Sequence, residues 1–348
     1  MKNNNQGPTQ ASGDAQQSLF EISDLPEPSD DFVFEGFERG EIWCGDSQIL
    51  MNDISDESLD LCFTSPPFPL ITKKSYGNED EKNYIDWLMP FLDIIARKLK
   101  PTGSLVIDLG CCWEKGLPVR STYDLRLPLR IIDELGLYFA QEFYWYNPSR
   151  LPTPAEWVTI RKERVKDSVD KILWFSKTPH PKALNTRVLQ PYSKSMEAKF
   201  GKNPDGRRPS GHKPSRQMHS FRNAGSIPGN LIACGNNNRS EPYLKFCRAN
   251  DLTPHPARFP YEIAEFFIRF LTKPNDLILD PFAGSCTSGF AAEKNGRNWL
   301  CIEENADYVA TSRGHFFTRP EREEAAIVLP RVGNYAEPSL TDDEGQPC

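Results

Sequence analysis

No stretch of this 348-residue sequence approaches the run of ~18 apolar residues that a membrane-spanning helix needs. Its first residues, MKNNNQGPTQASGDAQQ, contain no apolar core of a secretory signal. A cytoplasmic protein with no membrane association is the expectation. Histidine is scarce, at five residues, and no pair of the nine cysteines has C-x-x-C spacing, so no metal site is expected. An odd cysteine count without compact spacing also excludes the disulfide framework of a small secreted domain. Cys62 and Cys301 instead fall inside apolar runs, where a thiol serves as a small core side chain. The G-x-G-x-x-G fingerprint of dinucleotide-binding domains is absent, and no internal repeat is visible.

Positive charge is also in short supply overall. Lys and Arg number 41 against 48 Asp and Glu, for a net charge of −7. The deficit is uneven. Residues 181–250 carry 13 Lys/Arg against 3 Asp/Glu, a local +10 against −17 for the remainder. A basic block in an acidic chain is the electrostatic footprint of a polyanion-binding insert.

What is abundant is proline, at thirty residues, together with a regular alternation of apolar segments. Residues 1–35 are rich in Asn, Gln, Ser, Asp and Pro and read as a disordered arm, and residues 331–348 as a polar tail. Residues 36–180 hold the strands GEIWC and LDLCF, the helix NYIDWLMPFLDIIARKLK, the strand SLVIDLG, the helix LPLRIIDEL and the strand FAQEFYWYN. Residues 251–330 resume with the helix YEIAEFFIRFLTK, the strand DLILD, the helix GFAAEKN and the strand WLCIE. This order predicts an α/β fold with a doubly wound, mostly parallel sheet. Its two halves are separated by the loop-rich insert 181–250, which is too polar to build much core of its own.

The second half contains LILDPFAGSCTSGFAAEKNGRNWLCIEEN: strand, glycine turn, helix, strand, acidic residue. A glycine turn lets a ligand approach the backbone, and the N–H groups that open a helix favour anionic groups there. Glu303 falls 19 residues after Gly284, at a strand end where a carboxylate can accept two ribose hydroxyls. The wording DPFAGSCT, with HPARFP upstream of it, resembles the S-adenosylmethionine-dependent DNA amino-methyltransferases. The resemblance implies S-adenosyl-L-methionine as cofactor and a Rossmann-like methyltransferase fold. By position it implies that Asp280, Phe282, Ala283, Gly284 and Thr287 line the cofactor, with Glu303 on its ribose. His255, Pro256 and Phe259 are implied at its methionine side, and Thr64 is counted with the same set. Asp46, after the first strand, is expected near the adenine, with a plain turn-forming aspartate as the alternative. Cys286 departs from the family pattern, which usually has glycine there, and reads as a packing side chain.

The strand LDLCF runs into Thr64 and then Ser65-Pro66-Pro67-Phe68. Two adjacent prolines cannot continue a central strand, so a rigid loop is set at its end. The family carries [D/N/S]-P-P-[Y/F/W] as its catalytic loop, and the serine form resembles the N4-cytosine enzymes. An exocyclic amine is a poor nucleophile because its lone pair is delocalised into the base. Acceptors such as the Ser65 hydroxyl and the Pro66 carbonyl localise that lone pair and stabilise the charge that develops on nitrogen. Pro67 fixes the loop geometry, and Phe68 offers a ring to a base flipped from the duplex. C5-cytosine chemistry, which needs a Pro-Cys nucleophile, is disfavoured because that dipeptide occurs only as Pro347-Cys348 in the polar tail.

The resemblance covers roughly residues 41–315, with the catalytic loop before the cofactor motif, which is the permuted order of the β group. It implies double-stranded DNA as partner and a bacterial, nucleoid-associated setting. It also implies a restriction endonuclease that acts on the same site without direct binding. Arg207, Arg208, His212, Lys213, Arg216, His219 and Arg222 of the insert are the candidate target-recognition residues, and Lys73 and Lys74 candidate phosphate contacts. Tyr144 and Trp145, followed by Asn147-Pro148, end a strand and are the candidate walls for the flipped base, with one of the two aromatics facing the core. N6-adenine methylation on the same scaffold and a catalytically silent DNA-binding module are the alternatives.

Overall fold

The computed structural model describes residues 33–34, 37–69, 79–80, 82–198, 200, 225–236 and 242–318. Its strands are β1 (Val33–Phe34), β2 (Gly40–Cys44), β3 (Leu59–Thr64), β4 (Leu99–Leu109), β5 (Tyr138–Tyr146), β6 (Val169–Ser176), β7 (Leu231–Ala233), β8 (Leu277–Asp280), β9 (Asn298–Glu303) and β10 (Phe317–Thr318). Its helices are α1 (Ser47–Leu50), α2 (Tyr84–Lys98), α3 (Tyr123–Leu135), α4 (Lys194–Glu197), α5 (Pro242–Ala249), α6 (Tyr261–Leu271), α7 (Thr287–Lys294) and α8 (Ala306–Ser312).

Eight strands form one sheet in the order β2-β9-β8-β3-β4-β6-β5-β7, while β1 and β10 pair with each other. All neighbours are parallel except that β6 runs antiparallel to both β4 and β5. The expected doubly wound, mostly parallel sheet is therefore what forms. β3 sits near the middle and is buried along its whole length, which is why its sequence LDLCFT is so apolar. Its side chains alternate between two cores. Cys62 packs with α2 and α3, whereas Leu61 and Phe63 pack with α6 and α7. Phe63 and Phe267 are fully buried, and each such side chain contributes ~1.5–3 kcal/mol over an exposed one.

The helices follow their apolar spacing. α2 buries Tyr84, Leu88, Leu92 and Ile95 along one face, with Met89, Phe91, Ile94 and Ala96 widening the apolar stripe. α3 ends at Gly136, whose φ of +66° gives the left-handed cap and whose N–H returns to the Ile132 carbonyl.

Three features differ from the sequence expectation. β4 begins at Leu99, so Pro101-Thr102-Gly103 lies within a strand, opposite a register shift between Leu59 and Leu61. β6 adds a reversed strand between β4 and β5. The flanks of the 181–250 segment are woven into the main fold. Lys182 bridges Asp60 and Asp276, β7 extends the sheet edge, and α5 buries Tyr243, Phe246 and Cys247.

Candidate active site

β2, β9, β8, β3 and β4 all deliver their C-terminal ends to one edge of the sheet. From β3 the chain continues to β4 on one side, whereas β8 leads to β9 on the other, so a crevice opens between the ends of β3 and β8. A cleft of about 1130 Å³ lies there. Single small-ligand sites usually span ~300–1000 Å³, so this one has room for two ligands.

One wall is the glycine turn after β8. Gly284 adopts φ +52°, and a Cβ at that position would lie 3.0 Å from the His255 ring. The HPARFP segment and the glycine turn are thus packed together, and only glycine allows both that conformation and that approach. The Gly284 N–H donates to Glu303 Oε2 at 2.8 Å, and the Asn305 N–H to Oε1 at 2.9 Å. Burial raises the Glu303 pKa, and these two N–H bonds oppose it. Each oxygen keeps a lone pair for a hydroxyl donor. His255 is pushed down to about 4 by burial, so the ring is neutral at pH 7, and its Nδ1 lies 2.6 Å from the Ala257 carbonyl. Pro256, Phe259, Phe282 and Ala283 complete this wall.

The aromatic rings of Trp87, Phe91 and Phe282 pack on one another with centroids 4.9–5.7 Å apart and also line the cleft. Asp46 lines the cleft too. Its carboxylate accepts the Gln48 N–H at 2.7 Å as the N-cap of α1, so the capping reading and the cleft reading both hold. A carboxylate pair, an aromatic wall and a glycine turn suit a ligand with a diol, a flat ring and positive charge.

Three residues expected against the cofactor stand behind the wall. Asp280 is buried and accepts hydrogen bonds from Thr64 Oγ1 (2.7 Å), Ser288 Oγ (2.5 Å) and the Phe282 N–H (3.1 Å). Thr287 is buried with its hydroxyl 3.0 Å from Ser285 Oγ. None of Thr64, Asp280 and Thr287 lines the cleft; they fix the turn that does. Cys286, the departure from glycine, sits at φ +60°, the left-handed region where a non-glycine residue costs ~1–2 kcal/mol. Its side chain is fully buried, as its packing reading requires.

The opposite wall is the proline loop. Ser65, Pro66, Pro67 and Phe68 all line the cleft, and Phe68 lies so close over Gly110 that a side chain there has no room. Ser65 Oγ donates to Asp108 Oδ2 at 3.2 Å. Asp108 was not singled out from the sequence; its signal was one aspartate inside the apolar run SLVIDLG. It is fully buried, and its Oδ1 has no hydrogen-bond partner among the described residues. Burial, then the Asp170 carboxylate, push its pKa well above the carboxylate range, against Ser65 and Arg150. Asp170, on β6, is held in a bidentate pair by Arg150.

Trp145 faces the cleft and the core, donating its indole N–H to the Cys234 carbonyl at 3.0 Å, whereas Tyr144 does not line the cleft. Asn147 lines it as well. The DNA-contact candidates Lys73, Lys74, Arg207, Arg208, His212, Lys213, Arg216, His219 and Arg222 lie outside the described residues.

The DNA methylase family model, that of N6- and N4-methyltransferases, matches residues 59–313. The chain is 46% identical over 291 residues to the type II methyltransferase M.PvuII of Proteus hauseri, covering 82% of this chain and 86% of that protein. It is 28% identical over 274 residues to M.BglII of Bacillus subtilis, covering 77% of this chain and 66% of that protein. Among solved structures, the PvuII DNA methyltransferase (cytosine-N4-specific) aligns with a TM-score of 0.66 at 40% identity, covering 82% of this chain and 90% of that one.

Proposed function

The chain belongs to the DNA methylase family of N6- and N4-methyltransferases, and we propose that it transfers a methyl group from S-adenosyl-L-methionine to the N4 amine of a cytosine flipped from duplex DNA. The observation that carries the reading is the Ser65 hydroxyl, held 3.2 Å from buried Asp108 at the end of β3 and opening into the cleft shared with Gly284 and Glu303.

S-adenosylmethionine supplies a methyl group activated by a positively charged sulfur. Glu303 is assigned to its ribose hydroxyls, the Trp87–Phe91–Phe282 wall with Asp46 to its adenine, and the HPARFP segment to its methionine end. A neutral His255 spares the sulfonium a like charge beside it. Asp280, Thr64 and Thr287 keep the turn in shape.

The cytosine amine enters from the other wall. Because Ser65 gives its own hydrogen to Asp108, its lone pairs are left to accept an N–H of the amine, and the Pro66 carbonyl accepts the other. Both draw the nitrogen lone pair out of conjugation and oppose the positive charge that grows as the N–C bond forms, an effect worth ~10²–10³ in rate. The surplus proton leaves nitrogen through Ser65 Oγ toward Asp108, whose raised pKa makes it a competent acceptor. Phe68 and Trp145 bracket the base.

The segment 181–250 is assigned to target recognition on its local charge of +10. Arg207, Arg208, Arg216 and Arg222 then read bases or phosphates, with His212, Lys213 and His219 beside them and Lys73 and Lys74 on the backbone near the flipped nucleotide. A cytoplasmic, nucleoid-associated modification enzyme, paired with a restriction endonuclease for the same site, completes the proposal. The test is expression in a methylation-free bacterial host, nucleoside analysis of its DNA and mapping of the mark. N4-methylcytosine in one short motif is expected. N6-methyladenine overturns the base assignment, and unmodified DNA from a host with abundant folded protein overturns the activity.

A further inference from the structure

The chain leaves β5 at Tyr146 and re-enters the sheet at Val169. Since β4 and β5 both run opposite to β6, the end of β5 lies at the cleft edge, and Asn147, Arg150 and Asp167 of the following connection line the cleft. Leu151, Thr153 and Pro154 line the rim.

The turn at the start of this connection is held from several directions. The Ser149 N–H donates to Asn147 Oδ1 at 3.0 Å, and the Arg150 N–H to the Asn147 carbonyl at 3.2 Å. The Arg150 guanidinium is clamped on Asp170 and lies 6.0 Å from the centroid of the Trp145 ring. Lys166 Nζ donates to the Arg150 carbonyl at 3.1 Å and reaches the Pro148 carbonyl at 3.5 Å. On this fixed backbone Leu151 leaves 74% of its surface in water. A single exposed leucine is ordinary. One on a backbone held rigid at the mouth of the cleft is not, because its place is determined before any ligand arrives. Exposed Lys162, Arg164 and Lys166 follow on the same connection, against Glu163 between them.

We propose that Leu151 enters the DNA stack and fills the space left by the extruded base, with exposed Lys162 on a flanking phosphate. The assignment rests on the DNA-methyltransferase reading above. Extruding a base leaves a gap with apolar faces, and burying an aliphatic side chain there offsets part of the unstacking cost. The clamp on Arg150 and the bonds to the Asn147 and Arg150 carbonyls hold the adjoining backbone, so little backbone order is lost on insertion. Ile160 and Val165, 67% and 86% exposed on the same connection, do not line the cleft and are not assigned this role.

The test compares wild type, Leu151→Ala and Val165→Ala on two duplexes that carry the mapped motif. In one the target cytosine is paired; in the other it faces an abasic site, so extrusion is easy. Methylation rate constants and the fluorescence of a cytosine analogue at the target position are read on both. Leu151→Ala is expected to lose about 10- to 100-fold in kcat/KM on the paired duplex, the fold-change of burying one leucine. Its loss on the abasic duplex is expected to be small, with cofactor affinity and thermal stability unchanged. Equal behaviour of Leu151→Ala on both duplexes, including no effect on either, overturns the assignment. So does a pairing-dependent loss in Val165→Ala instead. A wild-type protein that binds the duplexes but methylates neither overturns the parent reading, and this one with it.

Discussion

The two walls of the cleft treat their buried carboxyl groups in opposite ways. On the glycine-turn wall, Asp280 accepts three hydrogen bonds and Glu303 two, all from groups within a few residues or on the adjoining strand. On the proline-loop wall, Asp108 accepts one long hydrogen bond from Ser65, faces a second carboxylate in Asp170 and leaves Oδ1 unpartnered among the described residues. A buried polar atom left without a partner costs ~1–3 kcal/mol. The first wall is complete before anything binds, as suits a cofactor that must be held in one pose. The second is left short of a hydrogen-bonding group, as suits a site whose last member arrives with the base.

The sharpest way to break that contrast is Ser65→Ala. It removes an acceptor used as charge develops on the amine and little packing, so kcat is expected to fall roughly 100- to 1000-fold. Cofactor affinity, measured by calorimetry, is expected to stay the same; a loss there would merge the two walls into one unit. Asp108→Asn comes next, with kcat expected to fall about 100-fold as the proton acceptor is lost. The pH profile separates a proton role from a packing role. The folded pKa of Asp108 lies well above the ordinary carboxylate value, so wild-type kcat is expected to rise with pH as the group ionises. The variant is expected to lose that limb. Stability runs the other way: a raised folded pKa means stability is lost as pH rises through it. Asp108→Asn is therefore expected to melt no lower than wild type at neutral pH, and a clear drop in Tm would assign Asp108 to packing.

Glu303→Ala tests the completed wall. The carboxylate accepts two backbone N–H bonds and is assigned two ribose hydroxyls, so its loss is expected to weaken cofactor binding about 10- to 100-fold, the value of hydrogen bonds to a charged group. With cofactor saturating, kcat is expected to recover most of its value. A kcat defect that persists at saturation would show that this wall also acts on the chemistry.

What the sequence disclosed follows from how local each feature is. Ser65-Pro66-Pro67-Phe68 and the turn around Gly284 were legible because their chemistry needs fixed residue types in consecutive positions. Trp87, Phe91, Asp108, Arg150 and Asp170 were not, because they share the cleft only through the strand order β8-β3-β4-β6 and the helix packed on it. An aspartate inside SLVIDLG and another inside VDKILWF were the available signals, charged groups in runs otherwise fit for a core. The reversal of β6 had no signal, since side chains alternate with a period of 2 in either strand direction. β7, three residues long, is too short to show periodicity at all. Thr64, Asp280 and Thr287 show a subtler limit. The motif says that the turn needs these side chains, not whether they face the ligand or hold up the residues that do.

His315 supplies the smallest test, because it is a second buried orphan that lies away from the cleft. Its ring stacks between Tyr243 and Phe290, with centroids 4.8 Å and 5.1 Å away, and its Nε2 has no hydrogen-bond partner among the described residues. Burial pushes its pKa down to about 3. Below the ordinary histidine value the unfolded chain takes up a proton that the folded chain refuses, so stability falls as pH drops from about 6.5 toward 3. By pH 5 this amounts to about 2 kcal/mol. His315→Phe keeps the stack and removes both the orphan atom and the titration. It is expected to match or exceed wild type in Tm at pH 7, and to gain a further ~2 kcal/mol over it at pH 5. Parallel loss of stability in the two proteins over that range would place the acid sensitivity elsewhere, with His255 the next group to vary. Turnover and cofactor affinity at pH 7 are expected to be unchanged. The same defect, a buried polar atom without a partner, then has two meanings: beside Ser65 the group that carries it takes up a proton and its replacement lowers the rate, whereas at His315 its removal only stabilises the fold.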